Sequence, residues 1–236
     1  MQKNYRVRRL VTTLLIAIVS LSMLSIDMAM NDFSFEDSSN SPTPVRTSGA
    51  EYAIDVLETL PVKGRTPKTG YARAQFSNGW ARSGGCDLRN IILQRDLKDV
   101  AVDEECRVLS GTLKDPYTAK TIQFSRGSTT SGEVQIDHVV ALSNAWQTGA
   151  QQLSPEQRHA FANDPLNLIA TEGAANQQKS DADAATWLPS NRSFRCQYVA
   201  RQIAIKDAYS LWVVPPEAAA MKQVLTRCPE QPMPTQ

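Results

Sequence analysis

Apolar residues fall at helical spacing where the ordered part of the chain begins: Ala53, Ile54, Leu57 and Leu60 step by three and four positions, and Pro61 closes the segment. The same period recurs over 88–97, behind Asp87, whose side chain suits the first free N–H groups of a helix. From Cys106 the pattern shortens to strand-like pieces at 106–109 and 118–124, with Ser110-Gly111 and Asp115-Pro116 between them as turn signals. Residues 134–136, introduced by Gly132, make a third strand candidate. Helical spacing returns over 141–150. Ser154-Pro155-Glu156-Gln157 then starts another helix with a serine cap, a proline in the first turn and an acid close behind, and Asn163-Asp164-Pro165 ends it. Residues 166–170 predict a short buried strand, 173–179 a brief helix, and 193–210 and 216–228 two longer helices. The expected class is α+β, a helix-rich single domain with a small antiparallel sheet.

The two ends of the N-terminal region differ from this. Lys3, Arg6, Arg8 and Arg9 lead into an apolar run from Leu10 to Ile26, the order of a secretory signal. Met28-Ala29-Met30 matches the small-x-small cleavage pattern poorly, so an uncleaved N-terminal anchor stays open beside a removed signal, and only that outcome would put the protein on a membrane. Residues 31–50, rich in serine, threonine and proline, have little to bury and read as a flexible linker. The domain is expected over 51–230 and its location is expected to be extracellular, secreted or held at the cell surface.

Export gives the cysteines their meaning. Cys86, Cys106, Cys196 and Cys228 contain no C-x-x-C pair of the kind that holds zinc, and in an oxidising compartment four cysteines read as two disulfides. Three pairings are open; Cys86 with Cys106 and Cys196 with Cys228 close the shortest loops. Charge removes another class. The formal net charge of +1 includes +3 from the leader, leaving −2 for residues 31–236, so the mature chain lacks the basic excess of a protein that wraps nucleic acid. No feature points to an obligate protein partner, and the chain reads as a monomer.

The chain has only two histidines. His159, within Glu156-Gln157-Arg158, belongs to a polar helical stretch. His138 follows Asp137 where a strand candidate gives way to a helix, and on an extended strand it shares a face with Val134 and Ile136 while Gln135 and Asp137 take the other. From that segment alone, a packed histidine finishing an apolar face is as good a reading as a catalytic one. Trp146 and Trp187 sit among apolar helix residues and read as core rather than as platforms for bases.

A strand ending in Asp137-His138, then Asn167 at the head of a second strand, then Asn176-x-x-Lys179 on a short helix resembles the HNH (His-Me finger) nucleases of ββα-metal fold, with that core at about 134–180. The wording of Ile136-Asp137-His138-Val139-Val140, Ala145-Trp146-Gln147-Thr148-Gly149, Asn163-Asp164-Pro165-Leu166-Asn167-Leu168 and Thr186-Trp187-Leu188-Pro189 is similar to the secreted HNH proteins of the DUF1524 type, common in actinobacteria. The resemblance implies His138 as general base, Asp137 and Asn176 as ligands of one Mg²⁺ or Mn²⁺, and Asn167 as the residue that orients the loop carrying the base. It also implies nucleic acid as substrate, DNA with RNA as an alternative, and phosphate or cleft roles for Lys179, Arg73 and Arg89. Around the two arginines the chain departs from the family wording, with Ala72 in place of an acid and Leu88 in place of a threonine. The competing reading is an extracellular binding module that keeps the HNH fold without its chemistry. A serine hydrolase using Ser143 or Ser154 with His138 is a weak third reading, because the chain has no G-x-S-x-G elbow.

Overall fold

The computed structural model describes residues 51–234; the leader and linker expectations lie outside the described residues. In chain order the elements are α1 (Ala53–Thr59), β1 (Arg82–Ser83), β2 (Cys86–Asp87), α2 (Leu88–Asp96), β3 (Leu97–Val102), β4 (Val108–Lys114), β5 (Thr121–Ser125), β6 (Val134–His138), α3 (Leu142–Gln147), α4 (Pro155–Ala162), β7 (Leu168–Glu172), α5 (Gly173–Lys179), α6 (Arg195–Ala208) and α7 (Pro215–Leu225). The fold is α+β with small antiparallel sheets: a β1–β2 ladder, a β3–β4–β5 meander and a β6–β7 pair.

Local chemistry explains the helix starts. Asp87 accepts from Asn90 N at 2.9 Å and opens α2. Ser154 and Gln157 close a reciprocal capping box on α4, with Pro155 at the first position, where its missing N–H has no helical partner to lose. The sheet differs from expectation in two places. Strand β3 follows α2 without a break, because Leu97 ends the helix in an extended conformation; its bulge, with Asp99 at φ 52°, and its unalternating sequence hide the period. Ser110-Gly111 is not a turn but the middle of β4. A Cβ on Gly111 would come within 2.9 Å of Leu97 Cδ2, so glycine is there for close approach to the neighbouring strand.

Three apolar clusters meet at β6–β7. One, from α2 and the meander, packs on Val134, Ile136, Leu168 and Ala170. A second, from α1, α6 and α7 with Tyr117, packs on Val139 and Ile169. A third holds Val140, Trp146, Phe161 and Phe76. The pair is therefore buried on both faces, and its sequence lacks the alternation of a half-exposed strand. Disulfides join Cys86 to Cys106 and Cys196 to Cys228, tying β2 to the β3–β4 turn and α6 to the end of α7.

Candidate active site

His138 ends β6 opposite Leu168 and is 7% exposed. Its Nε2 lies 2.8 Å from the carbonyl of Ala162 at the end of α4. A carbonyl only accepts, so Nε2 carries the proton and the lone pair is on Nδ1. Trp80 lies almost parallel to the imidazole, 11° between planes and 6.0 Å between centroids. Burial pushes the His138 pKa down to about 4; the Ala162 carbonyl pulls it up, and the positive charges of Arg73 and Lys179 push it further down. The ring is neutral at physiological pH.

The backbone around this histidine is clamped. Asn167, fully buried at the head of β7, accepts from Val140 N at 2.8 Å and donates to Val140 O at 3.3 Å, holding the turn out of β6. Val139 N also bonds to Asn167 O at 2.8 Å.

Asp137 points into the opposite layer. Its carboxylate accepts from Tyr117 Oη at 2.6 Å and from Lys179 Nζ at 3.0 Å, and the same ammonium reaches His138 O at 2.8 Å. Lys179 is 0% exposed, so the solvated position that would bring it to a phosphate is not where the structure puts it. Burial raises the Asp137 pKa above its ordinary value of 3.8, with Lys179 and Tyr117 opposing. Burial and the Asp137 charge push the Tyr117 phenol well up, so it remains a donor. Asn176, on α5, donates its side-chain Nδ2 to Gln135 Oε1 at 2.9 Å, and its side-chain Oδ1 accepts no hydrogen bond among the described residues.

Two cavities meet at His138. One of about 380 Å³ is lined by Asp137, Asn176, Gln135, Ser143 and Asp181, with Lys68 and Arg73 at its rim. Asp181 accepts from Lys68 and Ser143, which hold its carboxyl below the usual range. The other, about 390 Å³, lies between residues 73–80 and Ala162. Arg73, exposed and with a guanidinium that makes no hydrogen bond or ion pair among the described residues, lines both. Arg89 is elsewhere: it donates to Ser131 O and Val134 O at 3.3 and 3.1 Å, bracing the entry to β6. His159 is exposed, Trp146 is buried, and Trp187 is half-buried against the α1, α6 and α7 core.

The sequence reading missed Tyr117, Gln135, Asp181 and Trp80 as neighbours of the site. Gln135 was legible from its place one residue before the Ile136-Asp137-His138 run on the Asp137 face. Trp80 had no local signal, since it reaches the imidazole from a segment nearly sixty residues upstream.

The family model described as GmrSD restriction endonucleases, C-terminal domain, matches residues 87–224. An "uncharacterized secreted protein" of Arthroderma benhamiae is 38% identical over 189 residues, covering 79% of this chain and 90% of that one. No solved structure matches.

Proposed function

The chain belongs to the family of GmrSD restriction endonuclease C-terminal domains, an HNH-type endonuclease family, and from that membership we propose that it is an exported, metal-dependent endonuclease that hydrolyses phosphodiester bonds of DNA, with RNA as a second substrate. The observation that carries the reading is the state of His138. Its Nε2–H is fixed on Ala162 O, its burial keeps it neutral, and it lines both cavities, so Nδ1 is the proton acceptor beside a space large enough for substrate. Export rests on the basic, then apolar, leader and on the name of the fungal relative.

A divalent cation fits the donors beside this base. Asn176 uses its N–H on Gln135 and leaves a hard carbonyl oxygen, and the Asp137 oxygens keep lone pairs beyond those given to Tyr117 and Lys179. No group of three His, Cys, Asp or Glu side chains comes together among the described residues, so Asp137 and Asn176 would hold an ion such as Mg²⁺ or Mn²⁺ that keeps several waters. When bound, it supplies charge relief to the phosphate oxygens and the departing 3′ oxygen. Lys179 already neutralises Asp137, so cation affinity is expected to be low until a phosphate arrives.

The protein's own part is as follows. Nδ1 of His138 takes a proton from a water as its oxygen bonds to phosphorus, and the bond from phosphorus to the 3′ oxygen breaks, that oxygen taking a proton from solvent. Arg73 meets the non-bridging oxygens, and an anionic phosphate beside His138 raises the pKa of the ring and strengthens it as a base. Asn167 and Lys179 hold the backbone that leaves the histidine, Lys179 at His138 O and Asn167 at Val139 N and at Val140. The leaving strand carries the new 3′ hydroxyl.

The test is incubation of the oxidised chain with supercoiled plasmid, linear single-stranded DNA and RNA in Mg²⁺, Mn²⁺ or EDTA, beside His138→Ala. Cleavage that needs metal and falls by roughly 10²–10⁴-fold in the variant is expected. A folded wild-type chain that cuts none of the three with either metal returns the protein to the binding-module reading.

A further inference from the structure

The 390 Å³ cavity beside His138 has a wall of which the chemistry above uses only Arg73. Residues 73–81 have only a short 3-10 turn of regular structure, yet they are firmly fixed. Phe76 inserts between Trp146 and Phe161, Arg158 Nε donates to Gln75 O at 3.0 Å, and Ala81 N donates to Asn163 Oδ1 at 2.9 Å. That last bond ties the wall to the residue after Ala162, the one that holds His138. Wall and base therefore keep a set distance.

The wall presents three chemistries to one small space. Arg73 offers a guanidinium without a carboxylate partner, which suits a phosphate. Asn78 is exposed, makes no hydrogen bond among the described residues, and can donate and accept along a base edge. Trp80 is half-buried: it packs in part on the α2 and meander core, lies almost parallel to the imidazole, and lines the cavity with what remains exposed. The volume is at the low end of the roughly 300–1,000 Å³ typical of small-molecule sites, enough for one nucleotide and too small for a base pair.

Charge points the same way independently. With −2 over residues 31–236, the chain lacks the overall basic excess with which duplex-tracking proteins hold phosphates. Stacking of an unpaired base on an aromatic ring gives affinity without a basic surface.

We propose that this cavity is a subsite for one unpaired nucleotide flanking the scissile phosphate, with its base on Trp80, its edge toward Asn78 and its phosphate on Arg73. The protein is thus a nuclease of single-stranded or locally opened nucleic acid. The inference rests on the nuclease reading of His138, and its test separates the two.

Binding of a fluorescein-labelled mixed-sequence oligonucleotide, alone and annealed to its complement, is measured by anisotropy in EDTA for the full wild-type chain, Trp80→Ala, Trp80→Phe and Asn78→Ala. Cleavage of the same strands is then followed with Mg²⁺ or Mn²⁺. The expected result is single-strand binding roughly ten-fold tighter than duplex binding, a loss of about that factor in Trp80→Ala, recovery of most of it in Trp80→Phe, and a smaller loss in Asn78→Ala. An oligonucleotide with one abasic position is expected to lose cleavage at the bond beside it. Thermal melting accompanies each variant, and should Trp80→Ala not fold, the Phe and Asn78 variants decide. Equal binding of strand and duplex by the wild type overturns the proposal. So does a Trp80→Ala variant that slows cleavage of both substrates alike with binding unchanged, since the tryptophan would then only brace the histidine. A chain that shows the binding pattern but cuts nothing defeats the nuclease reading and leaves the subsite standing.

Discussion

The β6–β7–α5 unit and the irregular stretch over 62–81 face each other across His138 and are built in opposite ways. In the first, regular structure carries the load: a five-residue antiparallel ladder, a helix leaving its end, and buried side chains bonded to one another or to the main chain. In the second, the backbone has no ladder of its own, and hydrogen bonds to neighbouring elements fasten it: Trp212 Nε1 donates to Gly64 O at 3.0 Å, Thr66 N donates to Gln147 O at 2.9 Å, Trp146 Nε1 donates to Thr69 O at 3.3 Å and Arg158 donates to Gln75 O. Groups that move a proton need fixed geometry within a fraction of an ångström, which a sheet and a buried ion pair supply. Groups that meet a variable substrate need placement without the same burial, and a strap tied at intervals supplies that.

The contrast breaks most sharply at Lys179. Lys179→Met leaves the Asp137 carboxylate buried with only Tyr117 to hold it, and loss of one partner of a buried pair costs about 3–5 kcal/mol. Burial already raises the Asp137 pKa, and removing the ammonium raises it further. A carboxyl raised in the folded state contributes stability that is present below its unfolded value and lost as pH rises through the folded one. The deficit of the variant against wild type, measured by urea unfolding in EDTA, is therefore expected to be small in acid and to grow toward neutrality. A deficit that does not change with pH would mean that Asp137 is not the group left stranded. Asn167→Ala comes next: it frees Val140 N and O in the interior, for an expected loss of about 1–3 kcal/mol with faster amide exchange at Val140, while amides in 73–81 keep their wild-type rates.

The two regions were also unequally legible in the sequence. The first announces itself: Gly132, the apolar 134–136 run, Asn163-Asp164-Pro165 and the 173–179 helix are local signals, and they bring His138, Asn167 and Asn176 to the right elements. What it conceals is pairing. Period-based reasoning cannot tell that Lys179 turns inward to Asp137 rather than out to solvent, because one turn of a seven-residue helix has too few positions to define a face. Nor does it reveal Tyr117, which arrives from the turn between β4 and β5. The second region has no periodicity to read. Its anchors, Phe76 and Trp80, are aromatics whose partners, Tyr71 beside Phe76 excepted, lie roughly sixty to ninety residues away, and only the tertiary fold brings Trp80 over the imidazole while Trp146 is buried and Trp187 packs against the core. Strand β3 was missed for a related reason, since a bulged edge strand with exposed charges carries no clean alternation.

The smallest structural effect is expected at Arg73, which sharpens the comparison from the other side. Its side chain has no hydrogen bond or ion pair among the described residues, so Arg73→Gln should leave stability within about 0.5 kcal/mol of wild type. Its charge acts twice. It would attract the phosphate, and it lowers the His138 pKa. Removing it weakens substrate capture, while a slightly more basic imidazole partly offsets the loss of charge relief in the chemical step. Steady-state kinetics on a labelled single strand should therefore show KM raised several-fold with a smaller fall in kcat, and a weaker dependence of binding on salt. A fall in kcat with KM unchanged would assign Arg73 to the transition state alone and move it from the recognition wall to the chemical unit it faces.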